Sequence, residues 1–144
     1  MNSLKDKYNR VIDYIRISIT DRCNLRCIYC MPSEGISSIE HREILTYEEI
    51  LRVVRIASDL GVRKVRITGG EPLSRKNITF LTSAIKKING IEDLSLTTNG
   101  VLLEGLAEQL SESGVDRVNI SLDSMRPERF RKITRGGDLD LILR

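Results

Sequence analysis

Residues 14–20, YIRISIT, alternate without a break: Ile15, Ile17 and Ile19 fall in one phase, Arg16, Ser18 and Thr20 in the other. A period of two marks a β-strand with one buried face. KVRIT (64–68), DLSLT (93–97) and RVNISLD (117–123) repeat the pattern. Between these stretches the spacing turns helical. Residues 47–60 set Ile50, Val53, Val54, Ala57 and Leu60 on one side, behind a Thr46/Glu49 capping box and ahead of Gly61. Ile78, Leu81, Ile85 and Ile88 mark a second helix ending near Gly90. Leu103, Leu106, Ala107 and Leu110 mark a third ending at Gly114, and a short fourth follows Pro127. Strand and helix in repetition imply right-handed crossovers and a parallel sheet.

The polar phase carries functional information. Parallel strands covered on both faces read as continuous apolar runs, and these do not. A curved sheet with its helices outside satisfies both patterns, and its concave face becomes a polar cavity lined by Arg16, Arg66, Thr97, Asn119 and Ser121. Two arginines and several hydroxyls suit a large anionic ligand. The expected fold is therefore α/β, a curved parallel sheet of about four βα units with its helices outside, part of a barrel or an open doubly wound sheet. Such folds place their sites in the loops after the strand C-termini.

The first of those loops holds every cysteine of the 144-residue chain: Cys23, Cys27 and Cys30. An odd count at such close spacing argues against a disulfide framework. A lone cysteine reads as a small buried hydrophobe. Three in one loop beside Asp21, Arg22 and Arg26 read as metal ligands. Zinc needs a fourth ligand, and the only histidine, His41, stands at an irregular spacing for a closed Cys3His site. An iron–sulfur cube fits the count better, because three thiolates hold three irons and leave one open. After the second strand comes GGEPL (69–73), where Gly69 and Gly70 let backbone approach a ligand closely and Glu71 stands ready for a charged amine. No Lys-Ser or Lys-Thr follows at the offset of a phosphate loop. TTNG (97–100) reads as a strand end and a helix cap.

Composition excludes other classes. With 40% apolar and 30% charged residues the chain is expected to fold, and no apolar run approaches the roughly 20 residues that span a bilayer. The start, MNSLKDKYNRVIDY, lacks a signal peptide's hydrophobic region, which makes a cytoplasmic chain without a membrane partner the expectation. No Trp and 4% aromatics leave no platform for stacking bases, which argues against a nucleic-acid partner.

The stretches DYIRISITDRCNLRCIYCMPSEGI, VRITGGEPLSRKNI, LTTNGVLL and VNISLDS, in this order, bear a family resemblance. The CxxxCxxC spacing of Cys23, Cys27 and Cys30 and the Gly69-Gly70-Glu71 motif resemble those of radical S-adenosylmethionine (SAM) enzymes. The match narrows to the molybdenum cofactor biosynthesis protein A family, the GTP 3′,8-cyclases. That resemblance implies a [4Fe–4S] cluster on the three cysteines, with SAM chelating the free iron. It further implies reductive cleavage of SAM to a 5′-deoxyadenosyl radical, hydrogen abstraction from the ribose C3′ of GTP, and closure onto guanine C8. Carried over by motif, Tyr29, Gly70 and Ser121 contact SAM, with Gly69 and Glu71 beside them, and Arg16, Arg66 and Thr97 contact GTP. An electron donor is implied as a further partner.

Members of that family are more than twice as long, with a six-unit partial barrel and a C-terminal domain holding a second cluster. The resemblance therefore implies that residues 1–144 are the N-terminal portion of a radical SAM core domain, without the second-cluster domain and incomplete as an enzyme. An unpaired edge on the last strand leaves room for a homodimer. Two other readings stay open: a different radical SAM enzyme, one maturing a peptide or a sulfatase, and a structural zinc-binding module that needs only the cysteines.

Overall fold

A computed structural model describes residues 4–37 and 39–144, the His41 side chain excepted. One parallel sheet runs in the order β1 (Tyr14–Ser18), β2 (Lys64–Thr68), β3 (Asp93–Thr98), β4 (Arg117–Ile120). Helices α1 (Tyr47–Asp59), α2 (Ile78–Lys86) and α3 (Ala107–Glu112) make the crossovers, and α4 (Pro127–Thr134) and α5 (Leu139–Leu143) follow β4. This is the expected α/β class, an open sheet with helices as in part of a (βα) barrel.

The apolar phase of the strands makes the core. Ile17, Val65, Ile67, Leu94 and Leu96 pack with Ile50, Leu51 and Val54 of α1 and Ile78, Leu81 and Ile85 of α2. Each such side chain gains about 1.5–3 kcal/mol on burial, which is what holds the helices to one face. The start of α1 is fixed by its capping box: Thr46 Oγ1 accepts from the Glu49 amide at 3.2 Å, and the Glu49 carboxylate accepts from the Thr46 amide at 2.7 Å. Gly61, at φ +102°, ends it.

Two elements differ from expectation. The third helix begins only at Ala107, since Leu106 offers no capping side chain and Gly105 disfavours helix. Leu103 and Leu106 still pack on the core, but from tight turns closed by their amides on the Gly100 and Leu103 carbonyls. On β4, Val118 and Ile120 share the apolar phase yet are 36% and 43% exposed. The reason lies in where α4 goes. The Thr134 and Ile133 carbonyls at its end accept from the Arg26 and Ile28 amides at 3.3 and 2.9 Å, and Arg135 donates to the Arg26 and Met31 carbonyls. Thus α4 braces the cysteine loop instead of covering β4. No helix among the described residues is long and apolar enough to cross a membrane.

Candidate functional site

Hydrogen bonding between the first two strands continues past their ends into the site. The Ile19 amide donates to the Thr68 carbonyl at 2.9 Å, the Gly70 amide to the Thr20 carbonyl at 2.7 Å, and the Glu71 amide to the Arg22 carbonyl at 2.7 Å. The Gly-Gly-Glu turn is therefore stitched to the entrance of the cysteine loop. Gly69 sits at φ +144°, and a Cβ there would lie 2.5 Å from the Thr20 carbonyl oxygen; a Cβ on Gly70 would overlap the Arg22 carbonyl. The close approach they permit is to the protein's own backbone.

Glu71 is held from within the fold. Its carboxylate, expected to face a charged amine, is fully buried. It accepts from the Leu73 amide at 2.9 Å, the Thr98 hydroxyl at 2.7 Å and the Asn99 amide at 2.8 Å. Pro72 begins a short 3-10 turn, with Glu71 as its N-cap, and this turns the side chain under the end of β3.

The cysteine loop leaves β1 over these braces. Cys23 and Cys27 are half-buried and Cys30 is exposed, all as free thiols. Cys23 Sγ accepts from the Leu25 amide at 3.4 Å and from Asn99 Nδ2 at 3.7 Å. Burial pushes the Cys27 thiol above its ordinary pKa against the lowering effect of the neighbouring Tyr29 hydroxyl, and the negative charge of Asp123 and of the other two thiols adds to the rise. Tyr29, though largely exposed, donates its one hydroxyl proton to Asp123 Oδ2 at 3.0 Å, and partial desolvation together with that bond pushes its phenol up. A pocket of about 460 Å³, lined by Asp21, Arg22, Cys23, Arg26, Met31 and Ile36, opens beside the loop.

The donor set can be tested against its two candidate metals. Among the described residues, no three His, Cys, Asp or Glu side chains converge on a single ion, as a zinc site requires. His41, the one candidate for a fourth zinc ligand, has its side chain outside the described residues. A cube takes one thiolate per iron at separate corners, so thiols spread along one loop, with N–H groups aimed at a sulfur, fit it. Cys23, Cys27 and Cys30 would hold the cluster.

On the sheet's other face, register places Arg16 beside Arg66 and Arg66 beside Ser95. Tyr14 organises the pair. The Arg66 guanidinium lies 5.6 Å from the Tyr14 ring centre, and Arg16 Nε donates to the Tyr14 hydroxyl at 3.4 Å. Arg66 Nε also donates to Ser95 Oγ at 3.3 Å. Nearby cations are neutralised, Lys64 by Asp13 at 2.8 Å and Arg117 by Asp93 at 2.5 Å. Among the described residues Arg16 and Arg66 have no carboxylate partner. Thr97 shares their face and sits half-buried beside Asn119. Ser121 is exposed just beyond β4, its amide donating to the Thr98 carbonyl at 2.8 Å.

Cysteine loop, Gly-Gly-Glu turn, Asn99 and Ser121 thus meet at the C-terminal ends of the strands, above the arginine pair. Sequence reasoning gave Asn99 no role beyond a cap, placed Asp123 only in the polar phase of its strand, and gave Tyr14 no role. Asn99 does cap the turn as read, its Oδ1 accepting from the Val101 amide at 3.0 Å, but its other end reaches the cysteine loop. Tyr14 was open to detection, since it heads the polar phase of β1.

A family model described as the radical SAM superfamily matches residues 17–144. The GTP 3′,8-cyclase of Clostridium botulinum (strain Hall) is 55% identical over 139 residues, covering 96% of this chain and 44% of that protein. The GTP 3′,8-cyclase of Desulforamulus reducens is 58% identical over 139 residues, covering 96% and 43%. This chain spans less than half the length of these relatives. Among solved structures, methylornithine synthase superposes with a TM-score of 0.70 at 19% identity, over 90% of this chain and 39% of that one. BtrN in complex with AdoMet and 2-DOIA superposes at 0.62 and 18%, over 99% and 56%. Likeness at such identities speaks for the fold alone. With its family model spanning the cysteine loop, the Gly-Gly-Glu turn and strands β2 to β4, the chain belongs to the radical SAM superfamily.

Proposed function

We propose that this chain provides the cofactor site and the anion-binding face of a GTP 3′,8-cyclase, working in the cytoplasm at the step that turns GTP into 3′,8-cyclo-7,8-dihydro-GTP for molybdenum cofactor biosynthesis. The observation that carries the reading is the Arg16/Arg66 pair: two cations in register, held by Tyr14 and without carboxylate partners among the described residues, below the cysteine loop. A triphosphate supplies the charge such a pair lacks, at about 1.5–3 kcal/mol per charge-assisted hydrogen bond. The names of the curated relatives support GTP as that anion.

A [4Fe–4S] cluster and SAM are the cofactors of this family, and a one-electron donor must reduce the cluster. When bound and reduced, they supply a 5′-deoxyadenosyl radical able to take a ribose hydrogen atom. The chain's own residues hold and orient. Cys23, Cys27 and Cys30 bind the cluster; Gly69 and Gly70 fix the loop that carries them. Tyr29, Gly70 and Ser121 line the SAM side, while Arg16, Arg66 and Thr97 hold GTP. Residues 1–144 are, on this reading, the N-terminal portion of a radical SAM core. A peptide- or sulfatase-maturing enzyme would leave the arginine pair without a task.

Equilibrium binding tests the reading. Reconstituted chain with SAM should bind GTP, and the Arg16→Ala/Arg66→Ala double variant should bind it at least tenfold more weakly. A chain that cleaves SAM but binds GTP no better than the double variant does would overturn GTP as the substrate.

A further inference from the structure

We infer that Asn99 is a positioning residue for the cluster, its side-chain amide, aimed at Cys23 Sγ, setting the reduction potential of the cluster that Cys23 holds. This rests on the cofactor reading above and goes beyond it, since Asn99 neither ligates nor touches substrate in that reading.

The geometry leaves Asn99 no alternative orientation. Its backbone amide is held by Glu71 Oε2 at 2.8 Å, and its side-chain Oδ1 accepts from the Val101 amide at 3.0 Å. With the oxygen committed to Val101, the nitrogen must face the cysteine loop. One N–H of Nδ2 goes to Asn24 Oδ1 at 2.7 Å, which leaves the other for Cys23 Sγ at 3.7 Å. Because Glu71 is fully buried and also fastens Thr98, the amide is aimed from a rigid base.

An amide N–H pointed at a ligating sulfur stabilises the more negative, reduced cluster and so raises its potential. The Leu25 amide does the same at 3.4 Å, but from the backbone, which no side-chain exchange short of proline alters. Asn99 is therefore the adjustable donor.

The test is a redox titration of the anaerobically reconstituted chain, followed by electron paramagnetic resonance, for the parent and two variants. Asn99→Ser keeps an oxygen that can accept from the Val101 amide but is too short to reach Cys23. Asn99→Asp keeps the acceptor and replaces the donor with an oxygen. With iron and sulfide content at parental levels, Asn99→Ser should shift the oxidised-to-reduced equilibrium by about tenfold, which is about 59 mV downward for a one-electron couple. Asn99→Asp should fall further, because it also brings an anion to the sulfur. Full clusters at the parental potential would overturn the inference while leaving the cofactor reading intact. Failure of both variants to assemble a cluster would also overturn it, showing that the amide serves assembly and not tuning. A parent chain without any cluster would overturn the cofactor reading, and this inference with it.

Discussion

Thr98 Oγ1 donates a 2.7 Å hydrogen bond to Glu71 Oε1, at a position where Glu71 has no solvent exposure. The carboxylate that the motif presents in sequence beside two glycines is thus an internal strut between the turn after β2 and the end of β3. Glu71→Ala strands the Thr98 hydroxyl and the Leu73 and Asn99 amides, each at about 1–3 kcal/mol if left buried and unpaired. A loss of about 3 kcal/mol in urea unfolding is expected, and a smaller one for Glu71→Gln. A Glu71→Ala chain within about 0.5 kcal/mol of the parent, the range of ordinary surface substitutions, would show that the strut carries no weight.

Gly70→Ala should act locally. Its methyl overlaps the Arg22 carbonyl, so residues 20–22 must shift and the cysteine loop with them. The core of Val65, Ile67, Leu94 and Leu96 is untouched. Iron and sulfide bound per chain should fall several-fold while the far-ultraviolet circular dichroism stays parental. Full cluster content in this variant would contradict the stitching of turn to loop.

The arginine pair and Ser121 should separate in their effects. Arg66→Ala is expected to weaken GTP binding by about tenfold to a hundredfold, the equivalent of one lost charge-assisted contact, and to leave SAM cleavage in place. Ser121→Ala should weaken SAM binding instead. Parallel titrations with each ligand decide it, and the reverse pattern would show that the two faces have been assigned wrongly.

Acid sensitivity should trace in part to Asp116. Burial raises its carboxyl, but the Lys86 ammonium at 2.6 Å and the Leu94 amide at 2.7 Å outweigh this and leave the pKa below the ordinary 3.8. A carboxylate depressed by folding stabilises the native state above its unfolded pKa and loses that contribution as pH falls through the folded one. Asp116→Asn should therefore destabilise the chain at neutral pH and flatten the loss of stability below about pH 4. Thermal melts of parent and variant across that range measure it, and equal slopes would contradict the assignment.

Period-two alternation made the strands and the parallel class legible, because one face of each strand is buried by helices and the other is not. The cysteine loop stood out for a chemical reason: three thiols so close, in a chain with no other cysteine, suit metal ligation better than a disulfide framework. What the sequence hid was long-range. Nothing local says that Glu71 turns inward to meet Thr98, or that Asn99 reaches back to Cys23, since those partners are brought together only by the parallel register. The exposure of Val118 and Ile120 was hidden too, because it depends on α4 docking on residues 26–28 and not on β4. Arg16 and Arg66 were legible as a pair facing one way, whereas the Tyr14 ring that holds them was passed over as the edge of a strand.

The claim on which everything else depends is that Cys23, Cys27 and Cys30 hold one iron–sulfur cube with an open iron. Its most direct test is metal and sulfide analysis of the chain reconstituted under anaerobic conditions, followed by electron paramagnetic resonance of the reduced protein with and without SAM. Expected are about four irons and four sulfides per chain, a spectrum that changes on adding SAM, and loss of the cluster when any one of the three cysteines becomes alanine. One zinc per chain, no bound sulfide and no response to SAM would contradict it.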